Sequence, residues 1–153
     1  VIDTGIQHNH AAFAARDLDG YTHTNPRGRL YGICAEAGNA GYCNNKRIGI
    51  YDFSSTPNFG IDSHGHGTHT AGIATGNVRE FNLAAGATSV ATRLAGVAPR
   101  ANLIVYRAGV ENFSQSALVM AVDQAIADGV DVLSWSIGGG SADPWTALGN
   151  QQE

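Results

Sequence analysis

The sequence predicts an α/β fold with a mainly parallel sheet flanked by helices. Residues Ala101–Arg107 form a nearly continuous apolar run, the pattern of a strand that is covered on both faces. A helix that runs to about Asp128 follows, and Val130–Ser134 is predicted as the next strand. A strand, a helix and a strand within about 35 residues make a right-handed crossover, which sets the two strands parallel.

The composition fits one domain and excludes some partners. With 153 residues, of which 43% are hydrophobic, the chain can bury a sizeable core. Its 13 acidic residues outnumber 9 basic ones, for a net charge of −4, so neither nucleic acid nor an anionic membrane is an expected partner. No apolar run approaches the roughly 20 residues of a membrane-spanning helix. The low charged fraction of 14% and the 20 glycines favour a secreted enzyme with many tight turns.

The first half of the chain alternates short elements with loops. Val1–Asp3 is predicted as the end of a buried strand and His10–Ala15 as a helical turn, whereas Arg16–Asn45 is rich in turn-forming residues and is predicted as a loop. A strand is predicted over Lys46–Phe53. The helix predicted over His66–Gly76 contains several glycines, so its intrinsic propensity is poor and packing against a sheet must hold it.

In the second half, Val78–Ala95 is predicted as a loop between the histidine-rich helix and the apolar strand. The later helix begins after Ser114 or Ser116, because either hydroxyl can cap a helix N-terminus. Gly129 ends that helix.

Three polar segments lie at strand ends or helix starts, where open α/β sheets place their sites. They are Asp3-Thr4-Gly5, the histidine-rich stretch Asp62–Gly72, and Ser134–Gly140, in which an apolar strand runs into glycines. The first segment alone is typical of a turn. Three histidines within six residues of the second segment indicate a site.

In this order, Asp3-Thr-Gly, His66-Gly-Thr-His-Thr-Ala-Gly and Ser136-Ile-Gly-Gly resemble the motifs of the subtilisin-like serine proteases (subtilases). The likeness covers essentially the whole chain. It implies a partial subtilisin-like three-layer fold, with the mainly parallel sheet between helices. It also implies a serine endopeptidase that uses an Asp-His-Ser triad.

The resemblance assigns roles to particular residues. It implies that His66 is the general base and that Asp3 accepts a hydrogen bond from its other ring nitrogen. Ser136, Ile137 and Gly138 resemble the strand edge that pairs with an extended peptide substrate. We expect His69 to be a structural histidine that faces the packed interior.

The two cysteines lie close together in the sequence. By spacing alone, Cys34 and Cys43 are either free thiols or a disulfide, which would stabilise the fold by about 2–3 kcal/mol. Gly32-Ile-Cys34 and the segment from Tyr42 to Gly49 resemble the cucumisin-like subtilases, which commonly carry an inserted protease-associated domain. This resemblance favours the disulfide.

The sequence departs from the family in one respect, because neither the Gly-Thr-Ser turn that carries the nucleophile nor the oxyanion-hole Asn is present. Ser89, in Ala87-Thr-Ser-Val-Ala91, is rejected as a substitute since no helix-forming run follows it. We therefore expect residues 1–153 to be the N-terminal part of a catalytic domain that lacks the nucleophile-bearing part and is inactive alone. The whole protein would be a secreted endopeptidase that acts on proteins or peptides and is made with a pro-peptide.

Two other functions remain open at this point. One is a non-catalytic, subtilase-like pseudo-enzyme or interaction module. The other is a zinc hydrolase that uses His64, His66 and His69, although no Glu lies within this pattern as it does in metalloprotease helices. We expect no metal or other cofactor, and calcium stays unassigned because the acidic residues show no regular ligand spacing.

Overall fold

The computed structural model describes residues 1–86 and 88–138, apart from the side chains of Ala40 and Ala85. It has the predicted α/β class. The strands are β1 (Ile2–Asp3), β2 (Tyr31–Gly32), β3 (Arg47–Asp52), β4 (Arg79–Ala85), β5 (Thr88–Leu94) and β6 (Leu103–Arg107), and the helices are α1 (His66–Thr75) and α2 (Gln115–Asp128). No helix in the described part of the chain is long and apolar enough to cross a membrane.

Four strands form a sheet in the order β1-β6-β3-β2, and each neighbouring pair is parallel. Arg107 of β6 lies opposite both Asp3 of β1 and Asp52 of β3. Three charged residues therefore meet at the carboxyl edge of the sheet, the edge at which sites are found in this class of fold.

The strand β6 separates two hydrophobic clusters because its successive side chains point to opposite faces. Ile104 and Tyr106 pack in one cluster with the small residues of α2, and Leu103 and Val105 pack in the other with Ala71 of α1. The predicted middle layer between helices is therefore confirmed. The capping predictions also hold, since Ser114 caps α2 and Gly129 ends it in the left-handed conformation.

The prediction of a loop over Val78–Ala95 is wrong. Strands β4 and β5 form an antiparallel hairpin, in which Phe81 pairs with Thr92 and Leu83 pairs with Val90. Apolar side chains alternate here with polar ones, which is a strand pattern. The hairpin is exposed and lies outside the main sheet, so its sequence lacks the continuous apolar run of a covered strand.

The strand predicted over Val130–Ser134 is also wrong. The chain forms only an isolated parallel bridge between Ile2 and Trp135, next to a hydrogen bond from the Ile2 amide to the Ser134 carbonyl. Val132 is 85% exposed. A parallel strand needs cover on both faces, and residues 131–133 are exposed in the described structure.

Candidate active site

The carboxylate of Asp3 is buried at the end of β1 and is hydrogen-bonded on both oxygens. Its Oδ1 lies 2.7 Å from Nδ1 of His66 and accepts a 2.7 Å hydrogen bond from the Thr4 amide. Its Oδ2 accepts a 3.0 Å hydrogen bond from the hydroxyl of Thr70. The residue is 0% exposed. The position of this carboxylate is therefore fixed by three donors.

His66 is the first residue of α1, and its ring is held from one side only. Its side chain is 41% exposed, against 0% for that of Asp3. Within the described residues, no group hydrogen-bonds to Nε2. An imidazole that is fixed through Nδ1 and exposed beyond Nε2 can exchange a proton with a molecule that binds there.

Glycine at position 67 allows α1 to approach β1 closely enough for this contact. A Cβ on Gly67 would collide with the backbone of Gly5 and would lie 3.1 Å from the Thr4 amide nitrogen. The Gly67 amide instead donates a 2.8 Å hydrogen bond to the Thr4 hydroxyl. The helix that carries His66 is thereby joined to the turn that follows Asp3.

Asp62 connects the same turn to the first turn of α1. Its carboxylate accepts hydrogen bonds from the Thr4 hydroxyl at 2.9 Å, from the amides of His64 and Gly65, and from the amide and hydroxyl of Thr68. Burial alone would raise the pKa of Asp62, but the hydrogen bonds from Thr68, Gly65 and Thr4 outweigh it and lower the pKa to about 2. Asp62 therefore stays ionised at neutral pH. Its carboxylate accepts hydrogen bonds from amides at the helix start that have no partner within the helix.

The sequence interpretation included Asp62 as the first residue of the histidine-rich stretch but assigned it no role, and so missed this one. The available signal was its place just before a predicted helix, because an acidic side chain there can accept hydrogen bonds from the free amides. Thr4 and Thr70 were missed as well, although both lie within the motifs that were singled out.

A buried ion pair supports the Asp3 turn from the other side. The guanidinium of Arg107 lies 3.0 Å from the Asp52 carboxylate, and its Nε donates to the Thr4 carbonyl at 3.3 Å. Asp52 also accepts from the amides of Asn58 and Gly60. Burial opposes ionisation of Asp52, but hydrogen bonds and Arg107 leave its pKa below the usual range.

The predicted substrate segment lies beside β1. Trp135 forms the bridge to Ile2, so Ser136 follows it at the level of Asp3. Ser136 and Gly138 are exposed, and the Ile137 carbonyl accepts a hydrogen bond from the Trp135 indole at 2.9 Å. The segment therefore begins next to the residue that is bridged to β1.

The cysteines form the expected disulfide, with the Cα atoms of Cys34 and Cys43 separated by 5.8 Å. The expectation that His69 faces the interior is wrong, because its side chain is exposed. The buried side of α1 is formed by Gly67 and Ala71, which are one helical turn apart, and His69 lies away from them.

The other candidates do not join the site. Ser89 lies in the exposed hairpin, where it pairs with Ala84. The rings of His64 and His66 have centroids 6.2 Å apart. In the part of the chain that the structure describes, no group of three or more His, Cys, Asp or Glu side chains is arranged to hold a metal ion.

A buried carboxylate bonded to a half-exposed histidine, at the carboxyl edge of a parallel sheet, is the arrangement found in α/β hydrolytic enzymes. Comparison with known proteins identifies the class more closely. Residues 1–152 match the sequence model of the Subtilase family, and the chain belongs to this family.

Several plant proteins are similar to the chain. It is 37% identical over 152 residues to subtilisin-like protease SBT2.2 of Arabidopsis thaliana, an alignment that covers 89% of the chain and 17% of the relative. It is 38% identical over 156 residues to subtilisin-like protease SBT3 of Solanum lycopersicum, with 90% and 19% covered. It is 41% identical over 113 residues to subtilisin-like protease SBT4.11 of Arabidopsis thaliana, with 74% and 15% covered. The chain thus spans less than a fifth of the length of these relatives.

Proposed function

We propose that this chain supplies the Asp and His of the Asp-His-Ser triad of a serine endopeptidase. The observation that carries the proposal is the 2.7 Å contact between Nδ1 of His66 and Oδ1 of Asp3, a residue with no exposed surface. Membership of the subtilase family supports serine-type peptidase activity. A non-catalytic module would have no chemical need for this buried pair.

The geometry suits His66 to accept a proton in one step of the reaction and to donate it in the next. Its Nε2 would take the proton of a serine hydroxyl as the serine oxygen attacks the peptide carbonyl. The imidazolium formed would be stabilised by the Asp3 carboxylate. His66 would then give the proton to the departing amine. A water molecule would next attack the acyl carbonyl while His66 takes one of its protons, and His66 would return that proton to the serine oxygen as the bond between the serine and the acyl group breaks.

We place the serine nucleophile outside these 153 residues. Ser89, whose order in the sequence would suit a triad, is paired within the exposed hairpin, and in the described structure it has no hydrogen bond to His66. The chain spans less than a fifth of the length of these relatives, which leaves room for such a segment in a protein of that kind.

We further propose that the substrate is a protein or peptide bound in an extended form beside Ser136, Ile137 and Gly138. Backbone pairing at such an edge accepts many side chains. The disulfide between Cys34 and Cys43 supports a secreted protein, because disulfides persist in oxidising compartments. Synthesis with a pro-peptide belongs to the same proposal, as does a reaction that needs no cofactor.

The test is labelling by a fluorophosphonate, which reacts with an activated serine. The full-length protein should be labelled, and His66→Ala should abolish labelling and lower kcat by about 10⁴-fold or more. His10→Ala is the matched control, since His10 is an exposed histidine that only accepts a hydrogen bond from Ala12, and it should be labelled normally. Undiminished labelling of His66→Ala, or labelling at Ser89, would overturn the proposal.

A further inference from the structure

Helix α1 contacts both oxygens of the Asp3 carboxylate. His66 lies against Oδ1, and Thr70, one helical turn later on the same face, donates its hydroxyl to Oδ2 at 3.0 Å. The Thr70 hydroxyl also lies 3.1 Å from the Gly67 carbonyl. A hydroxyl has one proton, and a carboxylate is the stronger acceptor, so the bond to Asp3 takes precedence.

From this geometry we infer that Thr70 is a positioning residue of the catalytic pair, which acts on His66 through Asp3. The inference rests on the proposed function and adds a specific residue to it. Thr70 touches neither the substrate nor the reacting atoms in this arrangement. Its effect is to hold the plane of the carboxylate so that Oδ1 points at Nδ1 of His66.

The carboxylate needs such a restraint because the torsion about its Cβ–Cγ bond is soft. The Thr4 amide and His66 both bind Oδ1, so they leave rotation about that oxygen unrestrained. Thr70 fixes Oδ2, and its β-branched side chain has few alternative rotamers. Asp3 has no exposed surface, so solvent does not replace the hydroxyl when it is removed.

Three other charged or titratable side chains, His64, Asp62 and Arg107, lie around Asp3 and His66. His64 lies beside the His66 ring, and the Asp62 carboxylate is occupied by Thr4, Thr68 and backbone amides. The Arg107 guanidinium on β6 is occupied by Asp52. Substitution of Thr70 removes a donor to Asp3 and leaves these groups in place.

The experiment measures kcat and KM for a peptide substrate in the full-length protein. Thr70→Val keeps the shape and removes the hydroxyl, and should lower kcat by about 10- to 100-fold with KM unchanged. Thr70→Ser restores the donor and should return kcat to within about threefold of the unsubstituted protein. Thr75→Val is the matched control on the same helix, because the Thr75 hydroxyl bonds only to the Ala71 carbonyl at 3.2 Å. It should keep full kcat.

If Thr70→Val fails to fold, as judged by its melting temperature, Thr70→Ala takes its place as the variant without the hydroxyl. The same loss of kcat is expected. A kcat within about threefold for the variants that lack the hydroxyl would overturn the inference, as would a Thr70→Ser variant no better than Thr70→Val. Failure of the proposed function is distinct, because it requires that the unsubstituted protein is not labelled or that His66→Ala keeps its activity.

Discussion

At the scale of single residues, the site depends on side chains that take no part in proton transfer. Asp62 is the main example, because its two oxygens bind the turn after Asp3 and the first turn of α1 at the same time. A residue in this position influences both Asp3 and His66, although its side chain contacts neither the His66 imidazole nor a substrate. Its contribution can be measured as stability.

Asp62→Asn should lower the free energy of unfolding by about 2 kcal/mol at neutral pH. The folded pKa of about 2 lies below the ordinary value of 3.8, so the stabilisation is complete above that ordinary value and is lost as the pH falls towards 2. Denaturant unfolding at several pH values should therefore show the two proteins converging in acid. Asp123 is exposed, so Asp123→Asn is the control and should change the free energy of unfolding by less than about 0.5 kcal/mol. A pH-independent difference would contradict this role of Asp62.

At the scale of elements, the close contact of α1 with β1 depends on the absence of a side chain at Gly67. Gly72 lies on the same helix, but a Cβ there would meet nothing within 4 Å. These two glycines therefore separate the effect of packing from that of helix propensity.

Gly67→Ala should destabilise the protein by about 1–3 kcal/mol and reduce activity, because the new methyl group pushes α1 away from the backbone of Gly5. Gly72→Ala should instead stabilise the helix by about 0.5–1 kcal/mol. Thermal unfolding and kcat of both variants, made in the full-length protein, provide the measurement. Equal effects of the two substitutions would show that close packing at Gly67 is not needed.

The elements also show how far the sequence could predict this molecule. Strand β6, helix α2 and its caps follow from local apolar patterns, and the places of Asp3 and His66 follow from their motifs. The support from Thr70, Asp62 and Arg107 depends on strand register and on the depth of helix packing, which no local pattern encodes. The segment 130–134 has the sequence of a covered strand, but its pairing depends on neighbours that the described residues do not supply.

At the scale of the whole molecule, the described part exposes apolar surface. Val97 is 88% exposed and Val132 is 85% exposed. Both line an apolar cavity of about 500 Å³ between the end of α1 and the segment 130–134. Exposed patches of this kind promote association.

We expect the 153-residue chain, produced alone, to self-associate as its concentration rises. Replacing Val97 and Val132 together by Lys should shift it towards monomer, because charged side chains oppose burial of this surface. Sedimentation velocity of both chains measures the change. A monomer before substitution, or an unchanged distribution after it, would contradict this expectation.

The bond from Arg107 to the Thr4 carbonyl joins residues 103 positions apart. During translation, β1 leaves the ribosome long before the strand against which it must pair. The Asp3 turn is therefore assembled late, after most of this region has been synthesised.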